Sequence, residues 1–289
     1  AYEISACLVG SEMCIRDRKL SVTGYQDYND AQKILKEVNK YRKKNGRKAL
    51  KMDRGLTNSA IMRGFETTIY IPETSPHRRP NGKLSKSINK KIIYENCAQS
   101  AETTPKQIVK GWINSSTHRK GLLLSNAKSV GVAAVTVVSR DGYEANTWVL
   151  DFSSSKAKKV EKSKARKQFT KNIVTKNSYL KKSYLKLDSR YGTIWETEKM
   201  QMKPTYQGKM MKEYGVYPTV INTSSFTSWK SSNPSVASVD SNGRITGNKA
   251  GTVTISAKLK TGTKITISKK IKVVPVSYTH LTLPTICSV

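Results

Sequence analysis

Apolar residues recur at helical spacing in two stretches near the start of the chain. Ile34, Leu35, Val38 and Tyr41 mark one face of a helix over residues 30–45, stopped by Asn45-Gly46. Leu56, Ala60, Ile61, Phe65 and Ile69 form the stripe of a second helix over residues 55–70. Residues 71–91 are polar, carry three prolines and Asn81-Gly82, and read as a long loop of the kind that often serves function. Thr104-Pro105-Lys106-Gln107 has the spacing of a capping box with proline in the first turn, and Ile108, Val109, Trp112 and Ile113 supply the buried face behind it. Residues 130–138 are a β-rich run, Asp141-Gly142 a turn, and 146–152 the returning strand. Helices followed by an antiparallel hairpin predict an α+β domain.

The period changes to two further along. Val253, Ile255, Ala257 and Leu259 alternate, as do Ile265, Ile267, Ile271 and Val273, and Asn233-Pro234, Asn242-Gly243 and Thr261-Gly262 punctuate the strands. This predicts an all-β sandwich. The 289 residues suffice for two domains with separate cores. The expected boundaries are an α+β domain over 25–153, a Lys-rich linker extended by self-repulsion over 154–170, and an all-β domain over 171–275. Residues 1–24 and 276–289 continue neither pattern and are expected to be non-native, adaptor-derived tails, which would place any signal peptide outside this chain.

Charge narrows the partners. Lys and Arg number 52 against 20 Asp and Glu, a net charge of +32, which favours anionic partners such as nucleic acid or the polymers of a bacterial envelope. Specific nucleic-acid binding is not expected, because no recognition motif occurs and aromatics are not interleaved with the basic run. No apolar run is long enough for a transmembrane helix. The four cysteines, Cys7, Cys14, Cys97 and Cys287, have neither zinc-knuckle nor redox spacing, and Cys97 reads as a small apolar residue of the interior.

Five ordered pieces carry a resemblance. They are Val38-Asn39-Lys40-Tyr41-Arg42 with Asn45-Gly46, Ser75-Pro76-His77-Arg78-Arg79-Pro80-Asn81-Gly82, Glu95-Asn96, Trp112 through Arg119, and Ser129-Val130-Gly131-Val132 with Trp148. Together they resemble the bacterial branch of the CAP superfamily (cysteine-rich secretory proteins, antigen 5, pathogenesis-related 1) over residues 30–153. The resemblance implies an α-β-α sandwich and an exported protein. Trp229-Lys230-Ser231-Ser232-Asn233-Pro234-Ser235-Val236-Ala237-Ser238-Val239-Asp240, continued by Asn242 to Gly247 and Ala250 to Ile255, resembles the group 2 bacterial immunoglobulin-like module, which implies a surface or adhesion protein.

The resemblance makes His77, Glu95 and His118 the candidate cleft residues. It implies either structural and ligand-positioning work, or three ligands of a divalent metal such as zinc with one position open, or acid–base catalysis. The two-His, two-Glu set of plant and animal members is not reproduced, since Ser115 and Ser129-Val130-Gly131 stand at two of its places. Glu66 sits on the second helix and could face the cleft, but a lone acid on an amphipathic helix is expected to be solvated. Ser115, Ser116, Thr117 and Cys97 are the candidate nucleophiles, with no G-x-S-x-G elbow beside them. The reading taken forward is a secreted or wall-associated binding protein. Its cleft takes a small apolar or envelope ligand, its basic linker holds anionic wall polymers, and its β domain is a spacer or adhesin. The alternative is a metal-assisted or Cys/Ser hydrolase.

Overall fold

A computed structural model describes residues 19–69, 77–100, 103–139, 142–260 and 264–276. The first strand, β1 (Lys19–Asp27), runs into helix α1 (Tyr28–Lys44). The Asp27 side chain accepts from the Asp30 N–H, and Arg42, Lys43 and Lys44 fill the last turn, where cations suit the helix dipole. A short β2 (Lys51–Met52) precedes α2 (Arg54–Ile69), and a loop leads to β3 (Tyr94–Ser100). Helix α3 (Pro105–Asn114) has the capping box that its spacing predicts, between Thr104 and Gln107. Helix α4 (Ser116–Leu122) and the hairpin of β4 (Ser129–Val138) and β5 (Glu144–Ser153) follow, and β6 (Arg166–Val174) closes the unit.

These strands form one sheet in the order β3-β5-β4-β1-β6, with β2 parallel to β4. Strand β4 is buried along all but its last residue because helices cover both of its faces. On one side α1 and α3 bring Ile34, Val38 and Trp112 onto Val132 and Leu150. On the other, α2 brings Ile61 and Phe65 onto Val135 and Val149. This is the expected α-β-α sandwich. Two glycines set the closeness of α2. A Cβ at Gly64 would lie 2.7 Å from Val135 Cγ2, and one at Gly131 would overlap the Leu56 backbone. Only glycine lets the helix sit this low, and that fixes the height of its polar residues above the sheet.

Among the described residues the second unit is strand and loop apart from a helical turn, α5 (Lys209–Glu213), and three short 3-10 turns at Asn177–Tyr179, Lys182–Tyr184 and Thr223–Ser225. Its strands are β7 (Leu185–Asp188), β8 (Thr193–Trp195), β9 (Lys199–Gln201), β10 (Lys203–Tyr206), β11 (Thr219–Val220), β12 (Phe226–Ser231), β13 (Ala237–Val239), β14 (Arg244–Gly247), β15 (Gly251–Leu259) and β16 (Thr266–Val274). They group as β12-β15-β16-β8, β11-β10-β7 and β13-β14-β9. Val253, Ile255, Ala257 and Leu259 all point inward, as their alternation predicts.

Two expected boundaries are corrected. Residues 19–24 belong to the sheet, not to a tail: β1 pairs with β6 over nine register positions, from Lys19 with Val174 to Asp27 with Arg166. The Lys-rich run is therefore not a free linker up to residue 170. Its first part is a strap fastened to the α+β body. The Arg54 N–H donates to the Lys159 carbonyl (2.8 Å), the Glu161 N–H to Met52 (2.9 Å) and the Tyr28 N–H to Ala165 (3.1 Å). Backbone bonding of this kind is indifferent to side-chain charge and overrides the self-repulsion of the lysines. The expected tails at 1–18 and 277–289 lie outside the described residues.

The all-β unit packs directly on the first. Asn222 donates its N–H to the Ser21 carbonyl (2.8 Å) and its Nδ2 to Thr23 Oγ1 (2.8 Å). Thr219 Oγ1 donates to the Thr68 carbonyl (2.7 Å), Tyr143 stacks on Tyr217 at 4.8 Å, and the Lys176 N–H donates to the Pro80 carbonyl (2.9 Å). Leu20, Val22 and Ile69 belong to the same apolar cluster as Ile194 and Ile255 of the sandwich.

Candidate functional site

Residues three apart on a helix share a face, so α2 presents Arg63 and Glu66 together. Residues two apart on a strand do likewise, so β3 presents Glu95 and Cys97. Asp151 of β5 stands directly across from Glu95 in register. The loop after α2 carries His77 and Arg79 over the top.

Arg63 organises these groups. Its Nε donates to Glu95 Oε2 (2.9 Å), its Nη2 to Glu95 Oε1 (3.2 Å) and its Nη1 to Glu66 Oε2 (3.0 Å). Arg79 grips the other side of Glu66, with Nη2 at 2.7 Å and Nε at 2.9 Å from Oε1. His77 Nδ1 lies 2.9 Å from Glu95 Oε1. The side chains of Arg63, Glu66 and Glu95 are at most 1% exposed. The expectation of a solvated Glu66 is therefore corrected. Two guanidinium groups neutralise its carboxylate, which is the condition for burying such a charge.

The electrostatics follow from burial and pairing. Burial alone would raise the Glu95 carboxyl, but the His77 hydrogen bond and the Arg63 guanidinium hold it below its ordinary value. Burial pulls Arg63 down, and Glu95 and Glu66 more than reverse this. A carboxylate only accepts, so His77 Nδ1 donates to Glu95, and the ring's Nε2 takes no part in this bond. The His77 side chain remains 34% exposed. Burial, and then Glu95, push the Cys97 thiol up to about 12. Asp151 is wholly buried with neither oxygen hydrogen-bonded; burial, and then Glu95, hold its carboxyl well above the ordinary value.

His118 bonds within its own helix end, not to Glu95. Its Nδ1 is 3.0 Å from Ser115 Oγ, within α4 and its cap. Tyr94 Oη donates to the Thr117 carbonyl (2.9 Å) and Asn96 Nδ2 to the His118 carbonyl (2.9 Å), which pins α4 against β3. Burial, and then the nearby His77, lower the His118 imidazole. Of the sequence candidates, His77 and Glu95 are brought into contact and His118 is placed beside them.

His77, Glu95 and Cys97 have ligand atoms within 4.8 Å of one another, so this group could hold a metal. The donor set of nitrogen, oxygen and sulfur suits zinc. Arg63 and His77 already take three of the four lone-pair directions of Glu95, so an ion would share this carboxylate with the guanidinium.

Arg63, Arg79 and Asp151 were not singled out by the sequence. An arginine inside an apolar helix stripe and an acid between Leu150 and Phe152 in a doubly covered strand were the available signals.

Fold and sequence together define the class. Residues 35–152 match the cysteine-rich secretory protein family (CAP), and residues 211–271 match the bacterial Ig-like domain (group 2). The chain carries a CAP domain followed by a group 2 bacterial Ig-like domain. It is 33% identical over 119 residues to the uncharacterized protein YkwD of Bacillus subtilis, a match covering 40% of this chain and 44% of that protein. The chain thus spans less than half of the length of that curated relative. Among solved structures, an extracellular SCP-domain protein from Bacillus anthracis is 19% identical over 43% of this chain and 41% of its own, with a TM-score of 0.33. A cysteine-rich secretory protein from Staphylococcus aureus is 22% identical over 45% of this chain and 39% of its own, with a TM-score of 0.30.

Proposed function

We propose that this is an extracytoplasmic binding protein of the bacterial envelope. Its CAP cleft takes a small apolar or envelope ligand at His77, and its Ig-like domain serves as spacer or adhesin. The observation that carries this is the saturation of the Arg63–Glu66–Glu95–Arg79 network. Its carboxylates are fully paired and Cys97 is protonated, so neither supplies a nucleophile or a free base. His77 Nε2 is the group left to meet a ligand, oriented by a Glu95 that cannot move. Ligand positioning fits this arrangement better than hydrolysis.

The His77, Glu95 and Cys97 group supports a second reading, a zinc site. Calorimetry of zinc into the full chain, beside His77→Ala and Glu95→Gln, separates the two. The expected result is no tight one-to-one binding by the native chain; tight binding lost in both variants would replace the ligand reading with a metal centre. Titration with lipid and cell-wall fragments, followed through the His77 ring by NMR, should shift Nε2. A ring that responds to none of them counts against the cleft as a binding site.

A further inference from the structure

We infer that the strap and strand β6 form a binding track for a linear polyphosphodiester that carries no bases. The inference deepens the envelope reading and rests on it for the partner's source. Residues 156–171 hold eight cations and one acid, Glu161. That acid is turned inward and already engaged: it accepts from Arg54 Nε at 2.9 Å and from the Ser163 N–H at 3.0 Å. Lys158, Lys162, Lys164 and Lys167 are exposed. Elsewhere on the band, Arg166 meets Glu144 at 2.9 Å, an exposed pair of small energetic weight.

The track is prearranged, not a loose tail. Lys158 donates its N–H to Asp53 Oδ2 (2.8 Å), and Gln32 Nε2 donates to the Glu161 carbonyl (3.0 Å), adding to the backbone bonds that tie the strap to Arg54, Met52 and Tyr28. Strand β6 is the terminal strand of its sheet. Holding the backbone inward turns the lysines outward at fixed spacing. A polyanion that meets them therefore pays little ordering entropy on the protein side.

The chemistry of the partner follows from the aromatic rings. Tyr25, Tyr28 and Phe169 do come close to the basic run, but Tyr28 is buried, Tyr25 and Phe169 are half-buried, and each has a cation over one face. Arg166 lies 4.7 Å from the Tyr25 centroid, Lys167 5.7 Å from that of Tyr28 and Lys171 5.0 Å from that of Phe169. Stacking platforms for nucleobases need a free ring face. Capped rings favour a polymer recognised by its phosphates alone.

The test uses the full chain with labelled poly(glycerol phosphate), measured by anisotropy across a salt series. Changing Lys158, Lys162, Lys164 and Lys167 together to Gln should weaken binding about tenfold or more and reduce the slope of log K against log salt by about 3. The same four-fold change at the exposed Lys230, Lys249, Lys258 and Lys270 of the Ig-like domain should stay within about twofold, since neutralising a lysine that contacts no phosphate releases no counterion. His77→Ala should leave polymer binding unchanged, which keeps failure of the cleft reading separate. Equal losses in the two lysine sets would make the attraction a matter of net charge and overturn the track. So would absence of binding, or a single-stranded oligonucleotide of equal charge binding as tightly as the polymer.

Discussion

The Arg63 network and the basic band hold charge in opposite ways. Around Arg63, two carboxylates and the Arg63 guanidinium are buried and the Arg79 guanidinium is nearly so, each engaged by hydrogen bonds of 2.7 to 3.2 Å. Along the strap and β6, eight cations share one neighbouring acid in sequence, and seven of them are exposed. Buried charge must be paired atom by atom, because leaving one member alone costs several kcal/mol. Exposed charge is screened within about 8–10 Å and works only as a sum. The first arrangement specifies geometry and tolerates no loss. The second tolerates any single loss and responds to salt.

The largest expected effect lies in the sealed network. Arg63→Ala leaves Glu95 and Glu66 facing each other without their shared cation, and should destabilise the chain by about 3–5 kcal/mol in urea unfolding. A loss under about 1 kcal/mol would mean that the network is not closed, and the contrast with the band would collapse. Restoring charge balance should recover much of the loss, so Arg63→Met combined with Glu95→Gln should be less harmful than Arg63→Ala alone.

Much of this architecture was legible in the sequence, and the parts that were not share a cause. Ile34 and Val38, the Thr104 cap and the Val253–Leu259 alternation are local patterns, decided within a few residues. His77 and Glu95 were legible because each sits in a recognisable motif. Arg63 was not, since its partner Glu95 lies 32 residues away and pairs with it only once β3 is laid under α2. Strand β6 was hidden for a different reason. Its cations and its few inward residues, such as the buried Ile173, mask the alternation, and its pairing partner β1 lies at the far end of the domain. Glu66 was misjudged because a lone helix acid reads as solvated until Arg79 arrives from the loop.

A middle-sized effect concerns Asp151. Its folded value is raised by burial, and then by Glu95 and Glu66, above the ordinary 3.8. Such a group favours the folded state most below its unfolded value, and its contribution is lost as pH rises toward the folded one. Glu95, held low, has the opposite sign: its contribution is present above about 4.5 and lost as pH falls through its folded value. Asp151→Asn removes the first dependence and keeps the second. Its Tm advantage over the native chain should grow from pH 5 to pH 8, reaching about 2–4 °C for each kcal/mol relieved. A constant difference across that range would mean that Asp151 is solvated or ionised in the fold.

The smallest effect belongs to the band. Neutralising Lys158, Lys162, Lys164 and Lys167 removes four charges from a net of +32, all on exposed side chains, and one cation–π contact, that of Lys167 with Tyr28. Unfolding free energy should change by less than about 0.5 kcal/mol at moderate salt. At low salt the sign should be stabilising, because a chain this basic repels itself and the screening that hides the repulsion is withdrawn. The strap would remain in place, because Asp53, Met52, Arg54 and Tyr28 hold its backbone through bonds that use no lysine head group. A large destabilisation would instead show that the lysines fasten the strap, and the band would then be part of the fold and not a surface free to meet a partner.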